Sequence, residues 1–407
     1  MQKYSLKQCT HLVNQWGEYM KEEESEIWVP PPYQDSNSET FIPELQSEPL
    51  DENLAFVQRA LSIGVAILIL ASMVYIGFIV FGENGLVSYR PGDQAIESQE
   101  IYSDLIGFSG IKLSGDNVRV CIVDSGIMLE HKDLESFNIV LWKDFIQAKS
   151  TPYDDNGHGT SMAGILVADG WMKGIAPRVD LLVAKALGKD GSGSDEIVAE
   201  AIDWCASNDA DIISLSLGGA PDFLPFDIGS GRGSDEATND AIDQGIFVVA
   251  AAGNDGGAND DGDVANPCGE RLVICVGGAT QSGEHWIGSS TGDNNGRILP
   301  LPLLAPRSDP HKKPELVAPA EKVAVINYEG SWSLVDGTSA ATVYVTGAIA
   351  LLLQQNPELA DATSSSNTEQ VKDWIQQSVT PQEGQSGHDD DYGYGLLQIQ
   401  ALLDAAN

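Results

Sequence analysis

The chain has 407 residues and is 42% hydrophobic, enough for one large core with accessory segments. Its 60 Asp and Glu stand against 22 Lys and Arg, a net charge of -38. That balance excludes nucleic acid as a partner, because phosphate binding needs clustered positive charge.

Residues 1–57 are polar and acidic, with Glu22, Glu23 and Glu24 in a row and a Pro30-Pro31-Pro32 run. They read as a disordered tail, with too little apolar surface to offset the entropy of ordering. Leu61 to Phe81 then runs LSIGVAILILASMVYIGFIVF without a charge. About 20 apolar residues cross the hydrocarbon core as a helix. The stretch starts too far from the N-terminus for a signal peptide and lacks the polar face of a core helix. Residues 58–82 are therefore expected to form one transmembrane helix, with membrane lipid as the partner of residues 61–81. Arg59 and Arg90 flank it on opposite sides, so charge hardly decides its orientation.

A short linker is expected over 83–100, and one globular domain over 101–403. In that domain short apolar runs recur at Val118–Val123, Asp180–Ala186, Asp211–Leu217, Gly245–Ala252 and Leu272–Val276. Helical patterns at Ser194–Ser207 and Asp235–Asp243 alternate with them. The alternation predicts an α/β fold of three layers, a mostly parallel central sheet with helices on both faces. In such sheets chemistry gathers beyond the carboxyl ends of the strands. Five cysteines make no dense disulfide framework and no metal-ligand grouping. Cys121, in an apolar run, and Cys205, in a helical pattern, read as small buried hydrophobes. Cys268 and Cys275 either pair across a short turn or stay as separate core thiols.

Four segments carry candidate chemistry. Asp124 directly follows the apolar run Val120 to Val123, a position where an Asp also serves simply to cap a turn. His158 is bracketed by Gly157 and Gly159, which leave an imidazole uncrowded. Ser339 lies at the start of the helical run Thr342 to Gln355, where free N–H groups favour a developing oxyanion; Thr338 or Ser339 could equally be an N-cap. Asn254 ends the run Val249 to Gly253, and its amide could donate to that same oxyanion. A serine nucleophile needs a base to take its proton and an acid to orient that base. The set of four is more specific than any one of them.

These segments resemble the signatures of the subtilase family, over about Val118 to Leu397. VCIVDSGI is similar to its Asp motif, NGHGTSMAG to its His motif, GTSAATVYVTG to its Ser motif and AAAGND to its oxyanion Asn motif. The resemblance implies a serine endopeptidase with Asp124, His158 and Ser339 as triad and Asn254 in the oxyanion hole. It also implies that protein or peptide substrates lie between Gly191, Ser192 and Gly193 on one side and Ser214, Leu215, Ser216, Leu217 and Gly218 on the other, near Ala252 and Gly253. No cofactor is implied for the chemistry. Structural calcium is an expectation for the loop at Asp255, Asp260, Asp261 and Asp263 or for Asp389-Asp390-Asp391, since hard oxygen ligands suit it. The same loop carboxylates could instead select Lys or Arg at the cleavage site.

Ala340 stands where the family usually has Met, and Val343 where it usually has Pro. The resemblance further implies a single-pass protein with its catalytic domain on the extracytoplasmic side. An inhibitory prodomain, usual in secreted members, is not recognisable between the apolar stretch and the domain. A catalytically silent, membrane-tethered binding protein of the same fold is the alternative.

Overall fold

A computed structural model describes residues 52–81, 90–135, 137, 139–218, 232–260, 262–296, 306–360 and 364–407. The expected tail up to residue 51, the start of the expected linker and Asp261 lie outside these. The chain divides into two units, Met1–Met73 and Val74–Asn407.

Helix α1 (Glu52–Phe81) covers the apolar stretch and begins earlier than expected, taking in residues 52–57 of the predicted tail. At about 1.5 Å per residue it is long enough to cross a hydrocarbon core of about 30 Å. Leu54–Val80 has a mean hydropathy of 2.7, and its apolar side chains, such as Leu61, Leu68 and Phe78, are exposed on all sides. Length and composition thus fit a membrane span.

A seven-stranded parallel sheet organises the second unit. Its strands are β1 (Arg119–Asp124), β2 (Leu141–Asp144), β3 (Asp180–Lys185), β4 (Ile212–Leu215), β5 (Phe247–Ala251), β6 (Ile274–Ala279) and β7 (Leu316–Pro319), in the order β2-β3-β1-β4-β5-β6-β7. The hairpin β8 (Val323–Ile326) and β9 (Trp332–Val335) forms a separate two-stranded sheet. Alternate side chains of a strand face opposite layers, so Val120 and Ile122 enter one core cluster and Cys121 and Val123 the other. Helices α2 (Asp93–Leu105), α3 (His158–Val167), α6 (Thr338–Gln355), α7 (Ser366–Ser378) and α8 (Ile399–Ala405) contribute to the first cluster. Helices α4 (Asp195–Ser207) and α5 (Ser234–Asp243) contribute to the second. Burial on both faces explains why most of these strands read as continuous apolar runs rather than alternating ones.

Three expectations need correction. Residues 93–100, read as linker, belong to α2: the sparse apolar positions Ala95 and Tyr102 are buried, and Ser98 is buried by a hydrogen bond. At the other end α8 runs past residue 403 to Ala405. Cys121 and Cys205, read as separate hydrophobes, form a disulfide, because the inner face of α4 lies over the β1 side chains. Closing a loop of 84 residues stabilises the fold by about 4–5 kcal/mol in the chain-entropy account. Of the two alternatives left open for Cys268 and Cys275, the bridged one is found.

Buried charge clusters beside the second disulfide. Glu315 accepts the Cys275 N–H at 2.7 Å and pairs with Lys313 at 2.9 Å and Lys372 at 2.6 Å, all three side chains being inaccessible. Removing one member of such a group leaves uncompensated buried charge. Glu315→Gln is expected to lower the unfolding free energy by about 3–5 kcal/mol. Denaturant unfolding of the full chain in detergent measures it, and a loss below about 1 kcal/mol would show the lysines to be solvated or neutral instead.

Candidate active site

Strand order reverses around β1, with β3 and β2 added on one side and β4 to β7 on the other. Such a switch point leaves a crevice beyond the carboxyl ends of the strands. Four residues expected to carry chemistry meet there from different elements. Asp124 is the last residue of β1, His158 the first of α3, Asn254 follows β5, and Ser339 lies in the first turn of α6. His158, Asn254 and Ser339 line one cleft, with Asp124 buried behind the imidazole.

The Asp124 carboxylate accepts the Ser125 N–H at 2.6 Å and faces His158 Nδ1 through Oδ1 at 2.8 Å and Oδ2 at 2.9 Å. An ionised carboxylate has no proton to donate, so Nδ1 carries the hydrogen and Nε2 keeps its lone pair. The Asp124 charge raises the His158 pKa above its usual 6.5, against the opposing effect of burial. About a third of the imidazole surface stays open, 34%.

A second buried carboxylate, Asp154, locks the loop that delivers His158. It accepts N–H bonds from Asn156 at 3.0 Å, Gly157 at 2.7 Å and Thr160 at 2.9 Å, and hydroxyls from Thr160 at 2.7 Å and Ser125 at 2.9 Å. Burial opposes its charge, but these donors, Thr160 foremost, hold its carboxyl below the usual range. Ser125 Oγ also accepts the Gly159 N–H at 2.9 Å, so the Asp and His segments are clipped together. Gly159 is needed for that approach, because a Cβ there would lie 2.2 Å from the Gly126 carbonyl oxygen.

Asn254 is held by its carbonyl end. Its Oδ1 accepts the Thr338 N–H at 2.9 Å and the Thr338 hydroxyl at 3.0 Å. A backbone N–H can only donate, which fixes the amide orientation and leaves Nδ2 as the donor available to the cleft. Gly253, at φ +115°, makes the turn that presents it. The Ser339 hydroxyl donates to the Ser216 carbonyl at 3.0 Å, and Ser216 Oγ returns a bond to the Ser339 carbonyl at 3.1 Å. The N–H groups of the first turn of α6 lack helical acceptors.

The expected cleft walls are met only in part. Ser214 and Leu215 are the last two residues of β4, both paired with β5 and Ser214 with β1 as well; Ser214 Oγ accepts from Thr346 Oγ1 at 3.0 Å. Ala252 is buried, its N–H donating to Val276 and its carbonyl accepting from Ala265. Ser214 and Ala252 are engaged in the sheet and its continuation, and Leu215 is paired on the β5 side. Ser216, Leu217 and Gly218 run past the end of β4, where the ladder stops. Gly191, Ser192 and Gly193, expected as an opposing strand, lie in and beside a turn closed by Gly188 N–H to Ser192. Asp263 is engaged by Arg307 at 2.7 Å and Asp260 by the Thr291 hydroxyl at 2.6 Å, while Asp255 accepts the Ser290 hydroxyl. Asp263 is thus ion-paired and Asp255 and Asp260 are held by hydroxyls, while Asp261 lies outside the described residues. Among the described residues no group of three or more His, Cys, Asp or Glu is arranged to hold a metal ion. Sequence reasoning missed Ser125 and Asp154, although the run Asp154-Asp155-Asn156-Gly157 is turn chemistry on its face.

A carboxylate-held imidazole beside a serine at a helix start is the arrangement of serine hydrolases. Known proteins agree with that class. The profile of the subtilase family matches residues 115–395. Subtilisin E of Bacillus subtilis (strain 168) is 30% identical over 292 residues, covering 71% of this chain and 66% of its own length, just under two thirds. Subtilisin DY of Bacillus licheniformis is 30% identical over 304 residues, 74% of this chain and 95% of its own length. Sphericase has the same fold, with a TM-score of 0.59 at 24% identity over 76% of this chain and 100% of its own. The chain belongs to the subtilase family of subtilisin-like serine proteases.

Proposed function

We propose that this subtilase is a membrane-anchored serine endopeptidase that cleaves peptide bonds through an acyl-enzyme on Ser339. The observation that carries the reading is the Nδ1 of His158 set against both oxygens of Asp124, with its ring in the cleft that Ser339 and Asn254 line. A turn of the Ser339 side chain redirects its hydroxyl from Ser216 to His158 Nε2. The oxygen attacks the peptide carbonyl carbon as Nε2 takes the proton, and Asp124 stabilises the imidazolium. Asn254 Nδ2 and the Ser339 N–H receive the oxyanion. The C–N bond then breaks as Nε2 returns the proton to the leaving amine, and water releases the acyl group by the same steps. These residues supply nucleophile, base and oxyanion donors without a cofactor. An extended substrate would lie along Ser216 to Gly218, opposite the 191–193 turn, by main-chain hydrogen bonding.

Helix α1 supplies the anchor by its length and apolar surface. Two disulfides in the catalytic unit support an oxidising compartment, hence an extracytoplasmic position. One experiment tests activity and topology together. A membrane-impermeant fluorophosphonate is applied to intact and to opened cells, and the adduct is located by peptide mass. The expected result is equal labelling of both, on Ser339. Labelling only after opening would reverse the topology, and a folded, unlabelled protein would favour the silent binding protein.

Asn254→Ala is expected to lower kcat by about 10²–10³-fold with KM nearly unchanged, a magnitude known from subtilisin itself. Steady-state hydrolysis of a peptide substrate measures it. A loss under tenfold would take the amide out of the oxyanion hole.

A further inference from the structure

We infer that α2, the first helix of the catalytic unit, is a positioning element for the nucleophile, acting through Ser98 and Tyr102. The inference rests on the reading of Ser339 as nucleophile. Both side chains are buried, and both donate to backbone carbonyls of one turn, between β7 and β8. Ser98 Oγ donates to Lys322 at 2.6 Å, and Tyr102 OH to Glu321 at 2.5 Å. The other side of this turn holds the approach to Ser339. Lys322 N–H donates to Asp336 Oδ1 at 2.6 Å, and the Ala320 carbonyl accepts the Gly337 N–H at 2.8 Å. From there the chain is continuous: Thr338 holds Asn254 through its N–H, and Ser339 follows.

Two features make this more than ordinary packing. Lys322 sits at φ +49°, a left-handed conformation uncommon for a lysine. Its backbone is held by Ser98 on its carbonyl and Asp336 on its N–H, one on each side of the residue. The Tyr102 ring also packs on Tyr344, with centroids 6.4 Å apart, and Tyr344 belongs to α6, the helix that carries Ser339. A single helix thus grips both the turn that supports the Ser339 approach and the helix that starts there. A misplacement of about 1 Å at a reacting atom lowers rate by roughly 10²-fold, so slack in this grip is read directly as lost turnover.

The test uses the full chain in detergent. Tyr102→Phe keeps the ring and removes the donor; Ser98→Ala removes the other. The double variant is expected to lose roughly 10- to 100-fold in kcat and in the fluorophosphonate labelling rate, with KM within about threefold of wild type. Rates are taken per labelled site, so that a smaller folded fraction does not imitate the effect. The acid limb of the pH profile stays in place, because the Asp124–His158 pair is untouched. Placing the two changes in a Lys322→Gly background, where φ +49° needs no support, is expected to recover most of the loss. A double variant that labels at the wild-type rate per site overturns the inference, as does a loss that Lys322→Gly leaves unchanged. If the double variant does not fold, each single change is expected to show a smaller loss of the same kind, and two singles at the wild-type rate overturn it equally. A wild type that fails to label Ser339 would instead refute the underlying reading of the site.

Discussion

Ser339→Ala is expected to abolish fluorophosphonate labelling and to reduce kcat for peptide hydrolysis by about 10⁶-fold, the size this change has in subtilisin. The reason is that in the proposed mechanism every covalent step passes through the Ser339 oxygen. The fold should survive. The hydroxyl makes one described bond, to the Ser216 carbonyl, and losing such a bond costs about 1 kcal/mol. Adding His158→Ala to Ser339→Ala is expected to cost little more, because the two act as one unit. The checks are a peptide-hydrolysis time course and intact mass after probe treatment. A variant that keeps more than about a thousandth of wild-type kcat would point to a different nucleophile.

Asp124→Asn is expected to reduce kcat by about 10⁴-fold while leaving the site's shape intact. Asn can turn its NH₂ toward Nδ1, which moves the hydrogen to Nε2 and removes the lone pair that must accept the serine proton. The same variant gives a signed pH result. In the proposed mechanism neutral His158 is the active form of the wild type, so activity is expected to rise with pH through a pKa held above 6.5, chiefly by the Asp124 charge. Removing that charge lowers the imidazole pKa, so the acid limb of kcat/KM is expected to move to lower pH. Profiles of both proteins across the acid range decide it. An acid limb that stays put or moves upward would mean that the titrating group is not this imidazole.

The legible part of the fold follows from burial. β1, β3, β4, β5 and β6 lie inside a sheet covered on both faces, so their side chains are mostly apolar and their runs are legible to within a few residues. β2 escaped notice because it is an edge strand, half exposed at Leu141 and Lys143. Helix α2 escaped for a similar reason. It docks with few apolar side chains and makes up the difference with two hydroxyls, a device that leaves no periodic signal. Resemblance of their segments to cleft walls points to Ser214, Leu215 and Ala252, without saying which residues of those segments are paired within the sheet. Only pairing tells where a ladder ends, and β4 gives out after Leu215.

What the amino-acid sequence determines by itself is local: the candidate acid, base, nucleophile and amide, the glycines beside them, and the unbroken apolarity of α1. α6 is nearly as apolar, and its own neighbours in the chain could not say that it would be buried in protein; the sheet against which it packs decides that. The same holds for the working details of the site. Nδ1 of His158 owes its hydrogen to a carboxylate 34 residues away. Asn254 owes its orientation to Thr338, 84 residues on, and Cys121 its partner to a helix at an equal distance in sequence. Each of these is a choice between two states of one side chain, and its energy comes from a contact that exists only once parallel strands have brought distant segments together.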